Sequence, residues 1–265
     1  MHRYGPHPDQ FVELTLPAPR RRRGGAPVPV AVVLHGGFWR AAYGIELARP
    51  LAADLARHGT AAVAVEYRRV GAGGGWPATA EDVAAALDAL PDLPDAGRLD
   101  LGGVTVVGHS AGGHLAAWAA GRGRLPAGAP GAGPRIRVTA AVLQAGVLDL
   151  DDADRRGLGD GAVRAFLGGG PDQVPDRFAA ADPVRLLPSG ADVLCVHGTG
   201  DTVVPPEQSR RYAAAAAAVG DRVAVRLVAG DHMSLVDPRG EPWRTARDWL
   251  TARASASPDG STLDP

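Results

Sequence analysis

"VTVVGHSAGGHLAAW", Val104 to Trp118, sets an apolar β-branched run directly against an alanine-rich segment of helical character. Val and Thr at successive positions favour a strand, and Ala has the highest helix propensity. Only Gly108 to Gly112 separate the two, so a strand must turn into a helix at once. At that turn stands Ser110, with one glycine two residues before it and another two residues after.

The same alternation runs outward in both directions. "VPVAVVLHGG" (28–37), "TAAVAVEYR" (60–68), "VTAAVLQAGV" (138–147), "DVLCVHG" (192–198) and "RVAVRLVAG" (222–230) read as strands. Helical patterns lie between them at 45–59, 78–90, 206–219 and 241–252. Strands that do not alternate with polar residues, separated by helices, imply a mostly parallel sheet covered on both faces. The fold class is α/β. Ahead of this alternation, "FVELTLPAP" (11–19) alternates apolar with polar and ends in prolines, as a half-exposed edge strand does. Arg20 to Arg23 follow it and read as a solvated charge run in a turn.

With 265 residues and 45% hydrophobic residues, the chain can bury a full core as one domain, expected over 1–252, with 253–265 a disordered tail. Twenty-eight basic residues, all arginine, face 29 acidic ones, so no charge excess attracts nucleic acid or an anionic membrane. The single cysteine, Cys195, excludes an internal disulfide and reads as a buried small hydrophobe. The opening "MHRYGPHPDQ" has no apolar core of the signal-peptide kind, and no run reaches the length of a membrane span. A cytoplasmic protein is the expectation. No pair of His, Asp or Glu has metal-ligand spacing, and no cofactor is implied.

Gly108, Ser110 and Gly112 form the pattern G-x-S-x-G, with a strand before it and a helix after it. So tight a turn leaves room for little more than glycine at the flanking positions, and it lifts the serine hydroxyl to the carboxyl edge of the sheet. A serine becomes nucleophilic when an oriented imidazole takes its proton. His232, in "VAGDHMSL" after the last strand, is where this sheet delivers such a base. Asp201, in "HGTGDTVVPP" after the preceding strand, can fix the imidazole tautomer. Asp149, also after a strand, is the alternative acid. "VVLHGGFWR" ends the first central strand in a glycine turn, so the N–H of Ala111 and that of Gly37 or Phe38 are the expected oxyanion donors. His35 is expected to brace that loop.

The chain resembles the α/β-hydrolase superfamily, and within it the kynurenine formamidase and small carboxylesterase group. The resemblance rests on "HGGFW", "EYRR", "GHSAGGHLA", "HGTGDTVVP" and "GDH", and spans roughly residues 10–252. It implies a catalytic triad of Ser110, Asp201 and His232, with His35 to Trp39 as the oxyanion loop. Phe38 stands where hormone-sensitive-lipase-like esterases carry a third glycine, a difference that points toward the formamidases.

Several residues carry two readings. Trp39 and Trp76 fall in loops at the carboxyl edge and either line a substrate pocket or cover the core. Arg40, Arg68 and Arg69 either hold a substrate carboxylate or are solvated. His109, His114 and His197 read as packing or bracing residues, and Asp231 as a loop hydrogen-bond acceptor. Residues 150–191 are the only place for a lid, expected as one or two short helices, which suits small substrates. The implied activity is hydrolysis of a small carboxylic ester or amide, an aryl formamide included, through an acyl-enzyme. The rival readings are a prolyl-oligopeptidase-like peptidase and a non-catalytic receptor on the same fold.

Overall fold

Eight strands form one sheet in the computed structural model, which describes residues 1–19 and 26–256. Arg20 to Arg23 and the tail beyond Ala256 lie outside the described residues. In chain order the elements are β1 (His2–Arg3), β2 (Phe11–Thr15), β3 (Val28–Leu34), α1 (Arg49–Arg57), β4 (Ala61–Glu66), α2 (Ala78–Asp88), β5 (Leu99–His109) and α3 (Ala111–Gly121). There follow β6 (Val138–Gln144), α4 (Leu150–Arg155), α5 (Leu158–Leu167), α6 (Pro175–Ala181), β7 (Asp192–Gly198), α7 (Glu207–Ala218), β8 (Val223–Val228) and α8 (Glu241–Ala256).

The sheet order is β1-β2-β4-β3-β5-β6-β7-β8. β1 and β2 pair antiparallel at one edge, and every pairing from β4 to β8 is parallel. This is the α/β-hydrolase arrangement that the sequence implied. Its central strands lack alternation because both faces are covered. Along β3, Val30, Val32 and Leu34 enter the core that holds Leu87 and Trp118, while Ala31 and Val33 enter the core that holds Leu55 and Trp243. Side chains reach solvent at the two edges, Arg3 on β1 and Arg226 and Leu227 on β8, and the arginines leave both edges charged.

Parallel strands all end on the same side. The loops after β3, β5, β7 and β8 therefore bring His35 to Trp39, Ser110, Asp201 and His232 to one edge of the sheet.

The structure adds detail in two places. α8 runs to Ala256, four residues beyond the expected end of the domain. The 150–191 segment folds as three helices rather than one or two, because left-handed Gly157 and the run Gly159, Asp160, Gly161 break its first half. Leu150, Phe166 and Phe178 sink into the main core. The segment reaches the loop after β3 at Gly159, where a Cβ would lie 2.6 Å from the Phe38 ring. No helix among the described residues is long and apolar enough to cross a membrane.

Candidate active site

Ser110 sits at φ 57°, ψ −119°, a conformation that L-residues rarely adopt. Its N–H donates to the Gln144 carbonyl at 2.8 Å, and its carbonyl accepts from the His114 N–H at 3.1 Å. The flanking glycines are required by contact. A Cβ at Gly108 would lie 2.0 Å from the Gly112 carbonyl oxygen, and one at Gly112 would lie 2.2 Å from that of Leu34. Glycine alone lets the first turn of α3 press onto the ends of β3 and β5. The Ser110 side chain makes no cap to α3 and instead faces a cavity of about 230 Å³.

His232 lines the same cavity. Its Nδ1–H donates to Asp201 Oδ2 at 2.7 Å, which leaves Nε2 as the free ring nitrogen. No hydrogen bond joins it to Ser110 Oγ among the described residues. Such links are often long in unliganded sites and tighten with substrate. Asp201 Oδ1 accepts from the N–H groups of Val203 and Val204, both at 2.9 Å. His197 Nε2 stands 3.4 Å from Oδ2 while bonding the Val204 carbonyl at 2.8 Å. Burial works to raise the Asp201 pKa, but the bonds from His197, His232 and the Val204 N–H outweigh it and hold the carboxyl well below its usual range. Asp201 and His232 meet because their loops are knitted together: the Thr199 N–H donates to the Val228 carbonyl at 2.8 Å, and the Gly200 N–H to that of Gly230 at 2.9 Å.

The alternative acid is spent elsewhere. Asp149 caps α4 by accepting from the Asp152 N–H at 2.8 Å and pairs with Arg211 at 2.7 Å. Asp231 accepts from the N–H groups of Met233 and Ser234.

His109, between Gly108 and Ser110, does more than pack. Its Nε2 lies 2.9 Å from the His232 carbonyl, and the two rings stand 4.5 Å apart, so it ties the serine turn to the histidine loop. Burial, then repulsion from His232, pushes its pKa down to about 3. The ring is therefore a neutral donor near neutral pH. Nothing in a one-residue spacing distinguishes this contact from simple packing.

The loop after β3 carries three successive positive φ angles, 112° at Gly37, 49° at Phe38 and 57° at Trp39. Gly37 must be glycine twice over, since a Cβ there would also lie 2.5 Å from Tyr43. Gly37 and Phe38 line the cavity, whereas Ala111 is fully buried at the first position of α3. His35 braces the loop from below: Nδ1 reaches the Gly36 carbonyl at 2.8 Å and Nε2 the Glu66 carboxylate at 3.0 Å.

Trp39 and Trp76 do not line this cavity. Trp39 is 1% exposed, stacked on Phe166 at 4.7 Å, and donates through Nε1 to His114. Trp76 meets Trp118 edge to face at 6.4 Å. Both rings go to the core because the helices from the 150–191 segment and α3 supply apolar partners there. The arginines near the rim are also engaged. The Arg68 guanidinium makes two hydrogen bonds to Asp82, Arg69 bonds Glu66 and Asp9, and Arg40 bonds the Gly159 carbonyl.

The true walls are apolar residues that carried no signal. Leu47, Ala48 and Leu51 come from the segment entering α1, with Val33 and Leu34 from β3. Tyr43, Val203 and Met233, exposed by 47%, 40% and 52%, complete the cavity lining toward solvent. Cys195 is buried in β7, and burial pushes its thiol up to about 12. Among the described residues no cluster of three His, Cys, Asp or Glu could hold a metal ion.

Comparison with known proteins bears on the family and the fold. Esterase LipC of Mycobacterium tuberculosis is 30% identical over 220 residues, covering 79% of this chain and 52% of that protein. Esterase LipQ of the same organism is 32% identical over 200 residues, covering 72% and 46%. The chain thus spans about half the length of the curated relatives it matches. A solved structure described as a truncated carbohydrate esterase from gut microbiota superposes with a TM-score of 0.79 at 21% identity, over 96% of this chain and 94% of that one. At that identity the likeness establishes the fold. The family model named BD-FAE matches residues 16–215, most of the sheet and all the helices up to α7, and the chain belongs to that family.

Proposed function

We propose that this protein hydrolyses a small carboxylic ester through an acyl-enzyme. The observation that carries the reading is the 2.7 Å bond from His232 Nδ1 to Asp201, made on the wall of the cavity that Ser110 also faces. His232 Nε2 takes the Ser110 hydroxyl proton as Oγ attacks the carbonyl carbon. The carbonyl π electrons move to oxygen, and the oxyanion is held by the N–H of Ala111 and that of Gly37 or Phe38, each donor worth roughly 3 kcal/mol. Collapse expels the alcohol, which takes the proton from His232. Water then attacks the acyl group with the same base, and the second collapse releases the carboxylic acid and restores Ser110. Asp201 orients the imidazole and stabilises its cationic form throughout.

The names of the relatives, LipC and LipQ among them, favour an ester over an amide. So does the rim. An aryl formamide with a zwitterionic side chain needs ionic partners, and the guanidinium groups of Arg68 and Arg69 already serve Asp82, Glu66 and Asp9.

The test is Ser110→Ala with p-nitrophenyl butyrate, together with labelling of the wild-type protein by a fluorophosphonate. Loss of turnover in the variant and labelling at Ser110 are expected. Unchanged turnover would refute the assignment, and a wild-type protein inert to both reagents would point to a binding protein on this fold.

A further inference from the structure

The cavity grades from buried to open. Val33, Leu34, Ala48 and Leu51 are buried, Leu47 and Val236 half-buried, and Tyr43 and Met233 exposed. Among the described residues no acidic or arginine side chain lines it, and its ring nitrogens and hydroxyl come from the candidate machinery itself and the Tyr43 phenol. A charged group entering it would lose water and gain no counter-charge. An aliphatic group would gain with every methylene.

Volume limits how long that group can be. An apolar cavity of roughly 150 Å³ holds benzene, six heavy atoms. The 230 Å³ here hold about nine by the same ratio, including the reacting carboxyl group. An acetyl group leaves much of that wall without a partner.

Ala48 occupies a particular place in this wall. It sits immediately before α1, between Leu47 and on the same helical side as Leu51, and is 1% exposed. It is the one alanine among the described wall residues, so it leaves open a volume that a larger side chain would fill.

We propose that this cavity is the acyl pocket of the reaction, that Ala48 sets its depth, and that the preferred acyl group is an uncharged aliphatic chain of roughly six carbons. The inference rests on the ester-hydrolase reading above. Leu47, Ala48 and Leu51 act as specificity-determining residues, and the leaving group rests outward, toward Tyr43 and Met233.

The experiment is a series of p-nitrophenyl esters from acetate to dodecanoate, measured as kcat/KM for wild type, Ala48→Leu, Leu47→Ala and Ser110→Ala. In the wild type kcat/KM rises about four-fold per methylene to near hexanoate and falls by dodecanoate. Ala48→Leu lowers the hexanoate-to-acetate ratio at least about ten-fold, and Leu47→Ala moves the optimum to longer chains. A flat profile, a wild-type optimum at acetate, or an unshifted ratio in a folded Ala48→Leu protein overturns the proposal. If circular dichroism finds Ala48→Leu unfolded, Leu47→Ala decides alone: a longer optimum supports the pocket and an unmoved one overturns it. Hydrolysis that survives Ser110→Ala would instead overturn the ester-hydrolase reading, whatever the chain-length profile.

Discussion

His232 Nδ1 lies 2.7 Å from an Asp201 oxygen whose carboxylate is already anchored, through its other oxygen, by the N–H groups of Val203 and Val204. The carboxylate is therefore fixed in place independently of its bond to the imidazole. Asp201→Asn keeps an acceptor for the loop but offers the imidazole the wrong partner, and kcat is expected to fall about 10⁴-fold with the fold retained. Asp149→Ala, which removes only the α4 cap and the pair with Arg211, is expected to change kcat less than two-fold and to cost roughly 1 kcal/mol in urea unfolding. Reversal of these two outcomes would hand the role to Asp149.

How much of this was legible depended on whether the constraint was local. A serine forced into φ 57° between backbone segments in contact tolerates only glycine around it, so Gly108 and Gly112 spell the turn in the sequence. The ends of parallel strands share an edge by geometry, which put Asp201 and His232 within reach of inference. The cavity wall had no such signature. Leu47 and Leu51 are four residues apart across the start of α1, and that spacing reads identically whether the face meets a core or a substrate. Trp39 and Trp76 stayed open between pocket and core for the same reason, since an aromatic residue in an edge loop is committed to either only by what packs over it. The helices of residues 150–181 supply that partner for Trp39, through Phe166.

Gly112→Ala tests the local constraint directly. Its Cβ would meet the Leu34 carbonyl, and Leu34 is paired on both sides, with Val65 and Gly108, so it cannot retreat. A loss of about 3 kcal/mol in denaturant unfolding is expected, with esterase turnover falling alongside it. A variant as stable as wild type would mean that the helix can shift.

Acid stability should carry the mark of three buried groups. Burial, then repulsion from His232, depresses His109 to about 3, and burial depresses His114 to about 4. Their unfolded counterparts take up protons below about 6.5. The unfolded state therefore binds more protons in this window, and each histidine costs about 1.4 kcal/mol of stability per pH unit as pH falls from 6.5 toward 4. Asp182 acts in the opposite sense. Burial raises it to about 7, so the folded state binds the extra proton between pH 7 and about 4 and gains stability as pH falls. Urea unfolding of the wild type is expected to show a net loss equal to about one histidine. His114→Gln should flatten the slope and Asp182→Asn should roughly double it; equal slopes in all three proteins would rule out this origin.

Glu66 offers the sharpest contrast between a buried and an exposed ion pair. One of its oxygens accepts from Arg69 at 2.6 Å, from the Tyr67 N–H at 3.0 Å and from His35 Nε2 at 3.0 Å, while the other accepts from the Ile45 N–H at 2.9 Å. Arg69 in turn holds the carbonyl of Tyr43 on the cavity wall. Glu66→Gln removes the charge and leaves Arg69 with only Asp9 as a carboxylate partner, so a loss of about 3 kcal/mol in urea unfolding is expected. Because His35 also holds the Gly36 carbonyl, kcat should drop together with stability, whereas KM for a short ester should move little. The pair of Glu13 and Arg49, at 2.8 Å but half in solvent, should by comparison yield less than about 1 kcal/mol when Glu13 becomes Gln, with no change in kcat. If the two variants lost the same stability, the network under the loop after β3 would be no more than another surface pair.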